Sequence, residues 1–303
     1  MVLSITVCTY NRVKYLKLCL NSILNQTKEY RNIEINIIDN NSTDNTAEYI
    51  KNLQKQNLNI NYFLENKQGI SYARNLAIKV CNGEYLAFVD DDATINKDWL
   101  KALLNEINKN LEDTIYGGPI YPRFEIKPPN WIDLKYFKRK FKRYDGYLNK
   151  IKAKEGFSGG NMCIPIKLFK NSENFNISLG MSGSNLGLGE EPDFFYKLIK
   201  RNKNINLYNI ADMSITHFEA EYKLKKEYLK ERIKLNAKQF TLRTFMHENI
   251  FMIIFIIKIK LLIQSLKLLI NLFISLISSK HKFKYLKPYW IISGIIEGLF
   301  TQK

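Results

Sequence analysis

A chain of 303 residues, 46% hydrophobic and 25% charged, can fill one large domain or a domain of about 200–220 residues with an appendage, and it is not disordered. Its four cysteines, Cys8, Cys19, Cys81 and Cys163, form no C-x-x-C pair, which argues against a zinc site or a disulfide scaffold and fits a reducing compartment. The net charge of +17 is uneven: residues 135–154 hold nine Lys/Arg against one acid, and residues 223–303 hold sixteen against four. The remainder is therefore close to neutral. Basic segments of this kind point to an anionic partner, such as a membrane surface, a nucleic acid or an anionic lipid-linked substrate, although codon bias toward lysine gives part of such an excess. Met1 to Cys8 carries no charged leader and is interrupted early by Thr9-Tyr10-Asn11-Arg12, so no signal peptide is expected and a cytosolic location is the default.

The chain opens with Leu3 to Cys8, short, apolar and β-branched, hence a buried strand. Residues 13–25 place Leu16, Leu20, Ile23 and Leu24 on one helical face. Ile33 to Ile38 is a second strand, and Thr43-Asp44 opens a helix reaching about Gln56. Ile60 to Leu64 is a third strand, followed by a helix from Ile70 to Val80, a fourth strand from Glu84 to Val89, and a helix from Asp98 to Asn108. Strands alternating with helices predict an α/β fold with a mostly parallel central sheet covered on both faces. In such sheets ligands bind beyond the carboxyl ends of the strands. Thr9-Tyr10-Asn11, Asp39-Asn40-Asn41, Asn66 and Asp90-Asp91-Asp92 each fall at such an end, so four clusters converge on one edge.

The middle of the chain is irregular. Pro119, Pro122, Pro128 and Pro129 break regular structure before Trp131, and a basic, aromatic run follows at residues 135–144. A glycine-rich turn from Gly156 leads into a strand ending at Pro165, and a second glycine-rich loop, Gly180 to Gly189, precedes a helix near Glu190. Met213 to Thr216 is a short strand with His217 after it. From Tyr222 onward the chain reads as helical. Within the apolar stretch 250–278, Lys260, Gln264, Lys267, Asn271, Ser275 and Ser278 form one polar stripe. Lysine near a helix centre is costly in a spanning segment, and the stripe suits a helix lying in a membrane interface. Packing on its own domain or on a twin subunit, and a spanning helix, which the length allows, are the alternatives.

Three adjacent carboxylates beside a hydrophobic strand repel one another and are expensive to hold without a cation. Asp90 and Asp92 therefore suit Mg2+ or Mn2+ bridging to a diphosphate, where a solvated turn or helix cap is the plainer reading. His217 is a further candidate metal ligand through neutral imidazole, or a satisfied buried histidine. Asp39 can accept a proton of a nucleobase or bond a ribose, and Arg74 suits phosphate, with a cap and a salt bridge as their respective alternatives. Glu190-Glu191 opens a helix after a glycine loop, where the dipole favours acids, and either could serve as a general base, whereas Asp193 reads as structural.

These residues resemble family 2 glycosyltransferases of the GT-A fold. The matching stretches are Ser4 to Arg12, Ile38 to Asp44, Ala73-Arg74-Asn75, Tyr85 to Asp92, Gly159 to Met162, and Gly189 to Asp193. The resemblance covers about residues 1–220. It implies a GT-A catalytic domain over residues 1–221 with a C-terminal helical extension, 222–303, as a basic, partly amphipathic tail at a membrane surface. It implies a nucleotide-diphosphate sugar donor, a divalent metal and inversion at the anomeric carbon. The nucleotide side would comprise Thr9, Tyr10, Asn11, Arg12, Asp39, Asn41, Arg74, Asp90 and Asp91, and the metal side Asp92, Asp90 and His217. The base would be Glu191 or Glu190, with Gly159, Gly160, Asn161 and Trp131 on the acceptor side. Many members carry Glu-Asp where this chain has Glu190-Glu191, and a second Asp where it has Asn40, so neither the base nor a uracil preference is fixed. Relatives with such tails extend lipid-linked glycans for surface polysaccharide at the inner leaflet. A non-catalytic nucleotide-sugar scaffold, or a transferase with a protein or small-molecule acceptor, are the alternatives; no nucleic acid is expected as partner.

Overall fold

The computed structural model describes residues 2–28, 30–56, 59–109, 113–137, 144–148, 156–169, 174–183, 186–248, 250–275 and 282–301. The chain forms two compact units. One comprises Met1–Arg123, Lys138–Asn185 and Glu190–Phe218; the other comprises Phe124–Phe137, Leu186–Gly189 and Glu219–Lys303.

The first unit is built on four parallel strands, β1 (Leu3–Thr9), β2 (Ile33–Asp39), β3 (Ile60–Leu64) and β4 (Tyr85–Asp90), in the order β3-β2-β1-β4. β1 and β2 are buried along almost their whole length because helices cover both sides of the sheet. α1 (Val13–Thr27), α2 (Thr46–Gln54) and α4 (Trp99–Ile107) share one core with Ile5, Val7 and Ile35. α3 (Ile70–Val80) and α5 (Glu190–Arg201) share the other with Leu86, Phe88 and Met162.

Beyond β4 the sheet continues through β9 (Asn161–Pro165), β6 (Thr114–Gly117), β10 (Asn206–Asn209) and β8 (Gly146–Tyr147). β9 runs antiparallel to both of its neighbours. A second, three-stranded sheet is formed by β5 (Ala93–Ile95), β11 (Ile215–Glu219) and β7 (Ile120–Phe124). One buried carboxylate on the main sheet is answered locally by its neighbours. Buried Glu34 accepts hydrogen bonds from Ser4, Asn36, Asn61 and Asn82, at the end of the sheet away from Asp39 and Asp90.

Two boundaries differ from the sequence reading. α2 begins at Thr46, because Asp44 turns back to accept from Thr46 N–H and also from Val13 N–H at the first turn of α1. β11 runs through His217 to Glu219, so the histidine sits inside the strand, opposite Ala93 of β5.

In the second unit, α6 (Lys226–His247) and α7 (Ile250–Ser275) both pack against α8 (Lys282–Phe300). α6 and α8 approach closely at Gly294, where an added Cβ would lie 2.1 Å from the Lys234 carbonyl oxygen. Trp131 packs here with Trp290, Phe124 and Phe137. Of the basic run, residues 138–143 lie outside the described residues, as does Ser278 of the polar stripe.

Candidate functional site

Register places the acids. Thr9 lies level with Asp39 across β1 and β2, and Cys8 lies level with Asp90 across β1 and β4. Three strands therefore deliver their polar ends to one edge of the sheet. The loop after β1 is then tied to the loop after β2. Asn11, at φ 52°, accepts at Oδ1 from the backbone N–H of Thr43 and Asp44, while its own N–H donates to Ser42 Oγ. Asn41 is also left-handed, at φ 65°, a conformation asparagine tolerates. Tyr10 is half-buried in the same region.

The three aspartates have different surroundings. Asp91 is buried, accepts from Thr9 Oγ1 at 2.8 Å and pairs with Arg12 at 3.2 Å. Burial still pushes its carboxyl up to about 6 against the pull of Arg12. Asp92 takes the same Arg12 nitrogen on Oδ2 at 3.0 Å and His217 Nε2 on Oδ1 at 3.0 Å. Asp90 lies 3.9 Å from that imidazole nitrogen, and its carboxyl is raised by burial and by Asp92. The β5–β11 pairing sets the histidine there, helped by Phe218 N–H donating to the Asp92 carbonyl. Asp90, Asp92 and His217 offer ligand atoms within 4.8 Å of one another. Two carboxylates and an imidazole fit Mn2+ or Mg2+, and the nitrogen donor weighs toward Mn2+.

A second acidic group borders this cluster. Arg74 is buried on α3, stacked over Phe175. Its guanidinium reaches Glu190 at 3.0 Å, Glu191 at 3.5 Å and Asp90 at 4.0 Å. Its donors are directed to three carboxylates, because burial of a guanidinium demands such partners. Gly159 N–H donates to Glu191 at 3.0 Å. Cβ atoms at Gly159 and Gly160 would fall 2.2 Å from Arg74 Nη2 and 2.0 Å from Asp90 Oδ2, so side chains there would displace the charged groups.

The two glutamates are thereby distinguished. The side chain of Glu191 is 20% exposed and that of Glu190 is 8%. Burial and the neighbouring Glu191 push the Glu190 carboxyl up to about 7. Asp193 is fully buried and pairs with Lys197 one turn on, as its structural reading required.

Three further residues named from the sequence have well-defined surroundings. Asp39 is buried, with one oxygen accepting from Ser42 N–H and the other from Tyr62 O–H, so its carboxylate organises the loop as it stands. Asn161 is also buried: Trp99 Nε1 donates to it, and it donates to the Met213 and Pro119 carbonyls. Its amide is directed inside the fold. Trp131 belongs to the second unit. Tyr62 was missed; its only signal was a shared strand face with Asp39, which needs the β2–β3 register to be seen.

A family model, Glycosyl transferase family 2, matches residues 4–171. The chain belongs to that family. It is 35% identical over 117 residues to glycosyltransferase GlyG of Streptococcus pneumoniae, covering 38% of each chain. It is 29% identical over 188 residues to the GalNAc(5)-diNAcBac-PP-undecaprenol beta-1,3-glucosyltransferase of Campylobacter jejuni, covering 55% of this chain and 60% of that one. These matches span less than two thirds of either relative. The S. aureus TarS 1-349 structure in complex with UDP-GlcNAc aligns with TM-score 0.56 and 23% identity, over 79% of this chain and 66% of that one. That likeness gives the GT-A fold, as the sequence implied.

Proposed function

We propose that this family 2 glycosyltransferase moves a sugar from a nucleotide-diphosphate sugar to a hydroxyl of a lipid-linked glycan or polysaccharide, with inversion, at the inner face of a membrane. The observation that carries the reading is the Asp90–Asp92–His217 cluster joined through Arg74 to Glu191. A Mn2+ or Mg2+ ion held by Asp90, Asp92 and His217 would supply charge neutralisation for the departing diphosphate. The loops bearing Thr9, Tyr10, Asn11, Arg12, Asp39 and Asn41 form the proposed nucleotide side, with Asp91 anchoring Thr9 and Arg12 beneath it.

Glu191 is the proposed base, since it is the more accessible acid and Gly159 and Arg74 fix its position. The acceptor oxygen bonds to the anomeric carbon as its proton passes to the Glu191 carboxylate. The bond to the diphosphate oxygen breaks, and the nucleoside diphosphate leaves with the electron pair. Attack from the side opposite the leaving group inverts the centre. The lipid-linked acceptor is supported by the Campylobacter relative, which is named for an undecaprenol-linked glycan.

The test is a panel of nucleotide sugars with purified protein, Mn2+ and lipid-diphosphate-linked acceptors, read by nucleotide release and product anomeric configuration. Asp92→Ala should abolish release and transfer together. Activity unchanged in that variant, or retention of configuration in the product, would overturn the reading.

A further inference from the structure

α7 exposes the side that an ordinary soluble helix hides. Ile253, Ile257, Gln264 and Asn271 are buried, and the Lys260 ammonium lies over the Phe240 ring. The polar stripe read from the sequence is therefore largely the inward side of this helix. The outward side is apolar: Phe251 is 82% exposed, Leu262 60% and Leu269 63%, with Phe255, Leu266 and Ile270 also at least half exposed. From Phe251 to Ile270 this face runs about 28 Å along the helix axis. Soluble monomers rarely present a continuous apolar surface of that length.

Charge decides between two occupants. A second copy would bring two tails together, each with sixteen Lys/Arg against four acids over residues 223–303. Such like-charged surfaces repel. An anionic bilayer attracts the same surface and also takes up the apolar side chains. Lys258 is exposed among the apolar residues, and its long stem allows the ammonium to reach headgroup phosphates while its neighbours enter the acyl boundary. Among the described residues, no helix is long and apolar enough to cross a membrane.

We propose that the outward face of α7 lies in the surface of an anionic lipid leaflet, with Phe251, Phe255, Leu262, Leu266, Leu269 and Ile270 inserted and Lys258 at headgroup level. The inference extends the membrane location proposed above by naming the face that makes contact. It is tested without donor or acceptor, so its failure and that of the transfer reading are separable.

The experiment is flotation of the full chain with phosphatidylglycerol–phosphatidylcholine vesicles and with phosphatidylcholine vesicles alone. The wild type should float with the former, and binding should weaken as salt rises. A Leu262→Gln, Leu266→Gln, Leu269→Gln variant should lose roughly tenfold or more of its vesicle affinity. These positions are exposed, so its circular-dichroism melt should match the wild type, which excludes misfolding. Lys258→Gln should weaken binding to anionic vesicles and leave any residual binding to neutral ones unchanged. Wild-type protein that stays with the soluble fraction overturns the proposal. So does a triple variant that floats as well as wild type, since charge alone would then suffice. A dimer in light scattering that the triple variant abolishes, with no vesicle binding, assigns the face to a second copy instead.

Discussion

Arg74 links the proposed base to the proposed metal ligands. Its charge faces Glu190, Glu191 and Asp90, so the acid proposed as base and an acid proposed as metal ligand share one counter-ion. Glu191→Gln should lower kcat roughly 10²–10⁴-fold, the usual worth of a general base. Glu190→Gln should have a smaller effect: the amide oxygen still accepts from Arg74, and below about pH 7 it replaces a carboxyl that is already protonated. The signature is a kcat close to that of wild type, at unchanged donor KM, below that pH. The same residue makes a stability prediction. The Glu190 carboxyl is raised to about 7 because burial and Glu191 disfavour its charge. The folded state therefore holds a proton that the unfolded state has released, and folding stability from this group falls as pH rises from about 4.5 to about 7. Melting temperature followed across pH 5 to 7.5 should decline more for wild type than for Glu190→Gln. A parallel decline in both would assign the loss to other acids.

At the level of elements, the site depends on where strands stop. Gly160 precedes β9 and gives its carbonyl to the Asp90 N–H, and it leaves room for the Asp90 carboxylate. Gly160→Ala should raise the Mn2+ concentration needed for half-maximal activity by roughly 10-fold or more, as displaced ligand supports do, with little change in melting temperature. An equal loss of stability would show that the glycine serves the fold alone. The strands β1 to β4 were legible because burial on both faces leaves continuous β-branched runs, and the helices because their apolar faces recur every three to four residues. Contacts that depend on register were not legible. Asp39 meets Tyr62 only once β3 is aligned with β2, and Asn161 meets Trp99 across elements 62 residues apart. Asn40 shows the same limit. Its amide donates to the Glu65 and Lys67 carbonyls and accepts from Gly69 N–H, which an aspartate in that place could not do without facing two carbonyl oxygens. The departure at Asn40 thus has a structural cause in this chain, and it bears less on base preference than the sequence suggested.

Over the whole molecule, the acids of the candidate site and the basic tail belong to different units. The second unit carries the basic tail, while the first gathers five acids around Arg12, Arg74 and His217. The periodicity of residues 250–275 disclosed a helix with one polar stripe, but not which side would face inward, because α8 supplies the partner surface and lies in a later segment. The two carboxylates and the imidazole gathered at Asp90, Asp92 and His217 make the first unit the part of the chain that a divalent ion should stabilise. An ion at one hundred times its Kd should add about 2.7 kcal/mol, which for a unit of this size is a rise of roughly 5–10 °C in melting temperature. Scanning calorimetry with and without Mn2+ should show that rise, and Asp92→Ala should remove it. Where the melt resolves two transitions, only one should move, since Asp90, Asp92 and His217 all belong to the first unit. The effect also has a pH sign. Burial raises the Asp90 carboxyl, and a proton there must leave before an oxygen can bind metal. The Mn2+-induced shift should therefore be largest at neutral pH and shrink on acidification. A shift that grows on acidification would place the ion elsewhere than on these carboxylates.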